Sequence, residues 1–217
     1  MERLLNNRLY TLILFPFFLG ALTVFSFQPF NFSIINFIVL PIFFYLTVYI
    51  KKKSKSTYRK KPLRKNLFIF GTAFGFGYYL SGIHWITNSL TFDESFKILI
   101  PFGLIFIPLF LSLFFSVITL IFGPFLNFNF LSILIFSGSL AFSDYLRAKI
   151  LTGFPWNLWI YSFSWSPEVI QILDTLGLFS LNLIFLTFFL LPSVLFFKIS
   201  FKKKFLSLSI ASLIIFS

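Results

Sequence analysis

The feature that most constrains this chain is a succession of long apolar runs, at roughly residues 9–25, 34–50, 66–86, 98–122, 130–151, 169–197 and 205–217. The hydrocarbon core of a bilayer is about 30 Å thick, and about 17–25 apolar residues cross it as a helix. The first six runs reach that scale, and none alternates polar with apolar residues as a barrel strand must. Short polar turns separate the runs, so consecutive helices are expected to pack as antiparallel neighbours. With 58% hydrophobic and 11% charged residues among 217, there is too little charge to cover a water-soluble surface. The expected fold is an all-α polytopic membrane protein: a bundle of six complete transmembrane helices plus a truncated seventh. That last run, Phe205 to Ser217, makes only about 20 Å of helix, so the sequence is expected to be a fragment ending inside a span.

Charge placement orients the bundle. Nine of the 18 Lys and Arg fall between Lys51 and Lys65, and four more between Lys198 and Lys204. Both clusters lie between apolar runs, where membrane orientation accounts for a net charge of +12 without a nucleic-acid partner. With the N-terminus in the cytoplasm, fifteen basic residues face inward and only Lys97, Arg147 and Lys149 face outward. Asp93, Glu94, Asp144 and Glu168 fall on the outer side as well. Arg3 and Arg8 precede the first run as in a signal peptide, but FSFQPFNFS supplies no small-residue cleavage site, so the run is expected to remain as an anchor. All four tryptophans (Trp85, Trp156, Trp159 and Trp165) fall on the outer side, as an interfacial belt or as a rim facing lipid or substrate.

Two stretches carry more than hydropathy. In the third run Gly71, Gly75 and Gly82 are spaced by four and seven, which sets them on one helix face where a neighbour can approach closely. His84 is the only histidine, and the chain has no cysteine; these exclude a multi-histidine metal site and any thiol nucleophile in this sequence. No metal or soluble cofactor is expected. After the fifth run comes DYLRAKILTGFPWNLWIYSFSWSP. Asp144 and Arg147, at i and i+3, can pair on one helix face. Gly153 and Pro155 then stop the helix, and an ordered loop at the membrane surface is expected to follow. Pro108 is expected to kink the fourth helix.

Three segments together, FQPFN from Phe27, GFGYYLSGIHW from Gly75 and LRAKILTGFPW from Leu146, resemble the apolipoprotein N-acyltransferases. The resemblance covers the N-terminal membrane part of that family, over residues 1–217 of this chain. Asp144 stands where the family usually has Glu, and Ala148-Lys149 replaces a more glycine-rich pair. The resemblance implies a bacterial inner-membrane protein of lipoprotein maturation. In that reaction an acyl chain passes from a phospholipid, through a cysteine thioester, to the N-terminal diacylglyceryl-cysteine of an apolipoprotein. It also implies that the chemistry belongs to a nitrilase-like domain with a Glu-Lys-Cys triad, which is not in this sequence. On this reading Arg147 steers a phosphate headgroup, while Trp85, Phe154 and Trp156 line a portal for lipid. A small transporter and a non-catalytic membrane scaffold are the alternative readings.

Overall fold

The computed structural model describes residues 7–54, 63–150 and 155–197. Among the described residues every regular element is a helix. Helix α1, Tyr10–Ser26, opens with a π turn and closes in a 3-10 turn. Helix α2 spans Ser33–Ser54, α3 Leu63–Ile83, α4 Glu94–Phe122 and α5 Phe130–Ile150. A 3-10 segment, His84–Thr91, extends α3, and another, Trp159–Phe163, follows α5. Helix α6, Pro167–Leu176, and helix α7, Leu178–Phe196, complete the order. The expected seventh run and the basic residues at 55–61 and 198–204 lie outside the described residues.

By length and apolarity, α2, α4 and α7 can each cross a membrane. The other long helices, α3 and α5, have 21 residues each, or about 31 Å, but interrupt their apolar residues with glycine, serine and charge. The expected single run at 169–197 is two helices. Gly177 adopts φ 76° between them, a backbone region closed to most side chains, and turns a short α6 away from α7. Pro108 is accommodated inside α4, whose α-helical part runs unbroken from Ile100 to Phe122.

Helix α3 is the hub, because its small residues admit a neighbour on each side. A Cβ on Gly71 would meet Thr119, Phe115 and Ser116, and one on Gly75 would lie 2.9 Å from the Cα of Ser112. The backbone of α4 is therefore seated against that face, and the Thr119 hydroxyl donates to the Leu67 carbonyl at 2.8 Å. Gly82 shares the face but meets the side chain of Asn157 rather than α4. A second contact has no counterpart in the sequence reading: Gly77 abuts the Phe17 carbonyl of α1, and Gly20 abuts that of Phe74. Between the helices lies a buried phenylalanine core, with Phe43 stacked on Phe74 at 3.9 Å between ring centroids.

The two ends of the bundle differ in chemistry. At one, the Lys51 ammonium donates to the Leu126 carbonyl at 2.7 Å and to Asn127 at 3.0 Å, pinning α2 to the α4–α5 turn. Arg8 donates to Asn66, whose amide donates in turn to Ser54. The tryptophans gather at the other end.

Candidate functional site

The tryptophan end is organised by one buried polar network. Its origin is the last two turns of α5, where Asp144 and Arg147 sit one turn apart and meet at 3.1 Å. Arg147 is fully buried, and its second amino group donates to the Trp156 carbonyl at 2.8 Å. Its guanidinium also lies 5.5 Å from the Tyr79 ring centroid, within cation–π range. The other carboxylate oxygen of Asp144 accepts from Asn182 of α7 at 2.9 Å, and Asn182 accepts from the Ile160 backbone amide at 3.2 Å. Two helices and a loop are thus tied through one carboxylate.

The loop does not stay at the surface. Leu158, Trp159, Ile160 and Ser162 are buried, so the 3-10 segment enters the bundle. Trp159 packs on Tyr78 with centroids 5.0 Å apart, and Phe163 packs on Phe185 and Phe189 of α7. Irregular backbone among membrane helices is tolerated only where protein satisfies its polar groups. Asn182 does this for Ile160, and Tyr78 donates its hydroxyl to the Asn157 carbonyl. Of the four tryptophans expected in a belt or rim, Trp159 belongs instead to the core.

What the network presents outward is an aromatic pair. Trp156 stacks on Trp85, with ring centroids 4.5 Å apart and planes inclined by 22°. Trp85 is 41% exposed and Trp156 36%. The Trp85 indole N–H donates to the Gly82 carbonyl at 3.2 Å. Beside the pair opens a cleft of about 450 Å³, lined by Phe27, Gln28, Gly82, His84 and Asn157 among others. His84 is exposed, and its ring contacts the Ser81 carbonyl. Elsewhere, hydrogen bonds from the Ser95 hydroxyl and then its amide hold the Asp93 carboxyl below its ordinary range, and the Ser166 hydroxyl holds Glu168 below its own. No group of metal-ligating side chains exists among the described residues.

Residues 19–191 match the family model described as the apolipoprotein N-acyltransferase N-terminal domain. The chain belongs to this family. It is 32% identical over 181 residues to the apolipoprotein N-acyltransferase of Rhodopseudomonas palustris, covering 81% of this chain and 32% of that protein. The Brucella melitensis protein of the same name is 30% identical over 182 residues, covering 82% of this chain and 34% of the relative. The Rickettsia prowazekii protein is 40% identical over 117 residues, or 53% of this chain and 23% of the relative. The chain therefore spans about a third of the length of the N-acyltransferases it matches.

Within this family member, the expected site residues divide. Trp85 and Trp156 come together. Arg147 turns inward and engages Asp144 and the Trp156 carbonyl. Pro155 is half-buried at the start of the described loop and lines a small cleft with Trp156, Asn157 and Tyr161. Gly153 and Phe154 lie outside the described residues. Sequence reasoning missed Asn182 and Asn157. A lone asparagine inside the apolar run LFSLNLIFL was the available signal, since an amide within a membrane helix needs a partner.

Proposed function

We propose that this chain is the membrane-embedded part of an apolipoprotein N-acyltransferase of the bacterial inner membrane, and that it presents lipid to the reaction from the tryptophan end. The reaction transfers an acyl chain from a phospholipid to the N-terminal diacylglyceryl-cysteine of an apolipoprotein. The lysine end faces the cytoplasm and the tryptophan end the outer leaflet, in a bundle that crosses the membrane six times. The observation that carries this reading is the exposed Trp85–Trp156 stack held from beneath by a fully buried Arg147. Tryptophan rings suit the boundary between hydrocarbon and headgroups, and a rigid pair there can flank an entering lipid. Arg147 acts as a positioning residue on Trp156. Because the sequence contains no cysteine, the thioester step falls to residues outside it.

The test is a chimera in which residues 19–191 replace the matching segment of the Rhodopseudomonas palustris relative. It is expressed in cells depleted of their own N-acyltransferase, and lipoprotein N-termini are read by mass spectrometry. N-acylated lipoproteins are expected from the chimera, with a loss on Trp156→Ala. Full N-acylation by a Trp85→Ala, Trp156→Ala double variant would remove the aromatic pair from the mechanism. Orientation is read separately, since the chain is free of cysteine. A membrane-impermeant maleimide should label Ser95→Cys in intact cells but Lys65→Cys only after permeabilisation.

A further inference from the structure

Asn157 carries two costs that glycine in its place would not. Its backbone adopts φ 53°, a region that residues with a side chain rarely enter. Its amide nitrogen is buried and meets no acceptor among the described residues, and a buried donor left unpaired is destabilising. Outliers of this kind persist where the surrounding structure over-determines them, and they gather at functional sites.

The surroundings point to a use. Asn157 lies in the lining of both clefts at the tryptophan end. One stripe of α3 grips it at two successive turns. The Tyr78 hydroxyl donates to the Asn157 carbonyl. One turn on, the Asn157 amide is pressed against Gly82, where a Cβ would stand only 2.0 Å from the amide nitrogen. The Gly82 carbonyl in turn accepts from the Trp85 indole at 3.2 Å. Gly82 therefore holds Trp85 by its carbonyl, and by its bare Cα it seats the residue that follows Trp156. On the loop side, the left-handed turn at Asn157 carries the chain from the exposed Trp156 to the fully buried Leu158. The Gly82–Asn157 contact thus joins the two segments that carry the stacked rings.

We propose that Asn157 is a positioning residue for the aromatic pair: its amide, wedged against Gly82, sets the register of Trp156 on Trp85. Arg147 and Tyr78 hold the backbone of the loop, whereas the amide spaces Trp156 from α3. The consequence for acyl transfer rests on the role proposed above for the pair; the positioning does not.

The test exchanges volume across this contact in the full chain in detergent micelles. The readout is the exciton couplet of the stacked indoles in circular dichroism, with Trp85→Phe as the baseline without the pair. Asn157→Gly keeps the left-handed turn and removes the wedge, so the couplet should be largely lost. The folding equilibrium constant of the same variant, titrated with SDS, should rise about fivefold as the unpaired donor disappears. Gly82→Ala pushes the amide aside, against a side-chain end that can move, and should also weaken the couplet. In the double variant the new methyl fills the space the amide leaves, and the couplet should return. An undiminished couplet in both single variants, or a double variant no better than Gly82→Ala, would overturn the proposal. So would an Asn157→Gly chain that is less stable than wild type, the mark of a residue that only packs. In the chimera, Asn157→Gly should lower N-acylation and the double variant restore it. A lost couplet with full N-acylation would uphold the positioning and refute the use of the pair in acyl transfer, so the two readings fail separately.

Discussion

Replacing Arg147 with Met should be among the most damaging single changes in the chain, and its magnitude follows from what the guanidinium holds. Removing one partner of a buried ion pair costs about 3–5 kcal/mol, because the remaining charge is left uncompensated. The Trp156 carbonyl would lose its donor as well, and an unsatisfied buried acceptor adds about 1–3 kcal/mol. Asp144→Leu alone should be similarly costly, since it leaves Arg147 buried without its carboxylate. In the double variant no charge remains to be orphaned, and the residual cost is that of the Trp156 carbonyl and the Asn182 amide. The sum of the single changes should therefore exceed the double by about 3 kcal/mol, near the upper end for directly coupled residues. Reversible unfolding in mixed micelles, titrated with SDS, measures all three. Near-ultraviolet circular dichroism should show the Trp85–Trp156 stack weakened in every variant that lacks Arg147. Additive single and double costs, or an Arg147→Met variant as stable as Lys149→Met, would refute the view that this ion pair is the anchor of the loop.

Other consequences follow from closer contacts. Gly77→Val should drive α1 off α3, because a Cβ there meets the Phe17 carbonyl; overpacking of this kind costs about 1–3 kcal/mol or more, visible in the same SDS titration. Gly177→Ala forces a side chain into a backbone region that disfavours it and should cost about 1–3 kcal/mol by that titration. Lys51→Met strands the Leu126 carbonyl and should destabilise by about 1–3 kcal/mol, whereas Lys52→Met, at an exposed ammonium over Phe128, should be close to neutral.

Hydropathy alone made the helical class and most helix positions legible, because runs such as Glu94–Phe122 have one economical structure in lipid. The spacing of Gly71 and Gly75 correctly marked a close helix contact. It could not say that Gly82, on the same face, would meet a loop, since spacing reports a face and never its occupant. The contact of Gly20 with Gly77 joins residues 57 apart along the chain and leaves no periodic trace. The break at Gly177 was hidden because apolar residues continue on both sides of it, and only its backbone angle separates α6 from α7. At the site, the pairing of Asp144 with Arg147 was readable from their i, i+3 spacing. The direction in which Arg147 points was not. A charged residue near a helix end reads as boundary-facing until the loop that needs its donors is known.

That loop explains why so polar a group is kept in so apolar a chain. A continuous helix satisfies its own backbone, but the segment after α5 leaves helical geometry and then turns into the bundle at Trp159. Each exposed peptide group there needs a partner that lipid cannot supply. Arg147 serves the Trp156 carbonyl, Tyr78 the Asn157 carbonyl and Asn182 the Ile160 amide, while Asp144 holds both Arg147 and Asn182 in register. Four side chains on three helices thus satisfy one irregular segment, from which Trp156 is presented against Trp85. A surface loop pinned by tryptophans alone would drift with the lipid around it. Here the position of Trp156 against Trp85 is set from within the protein.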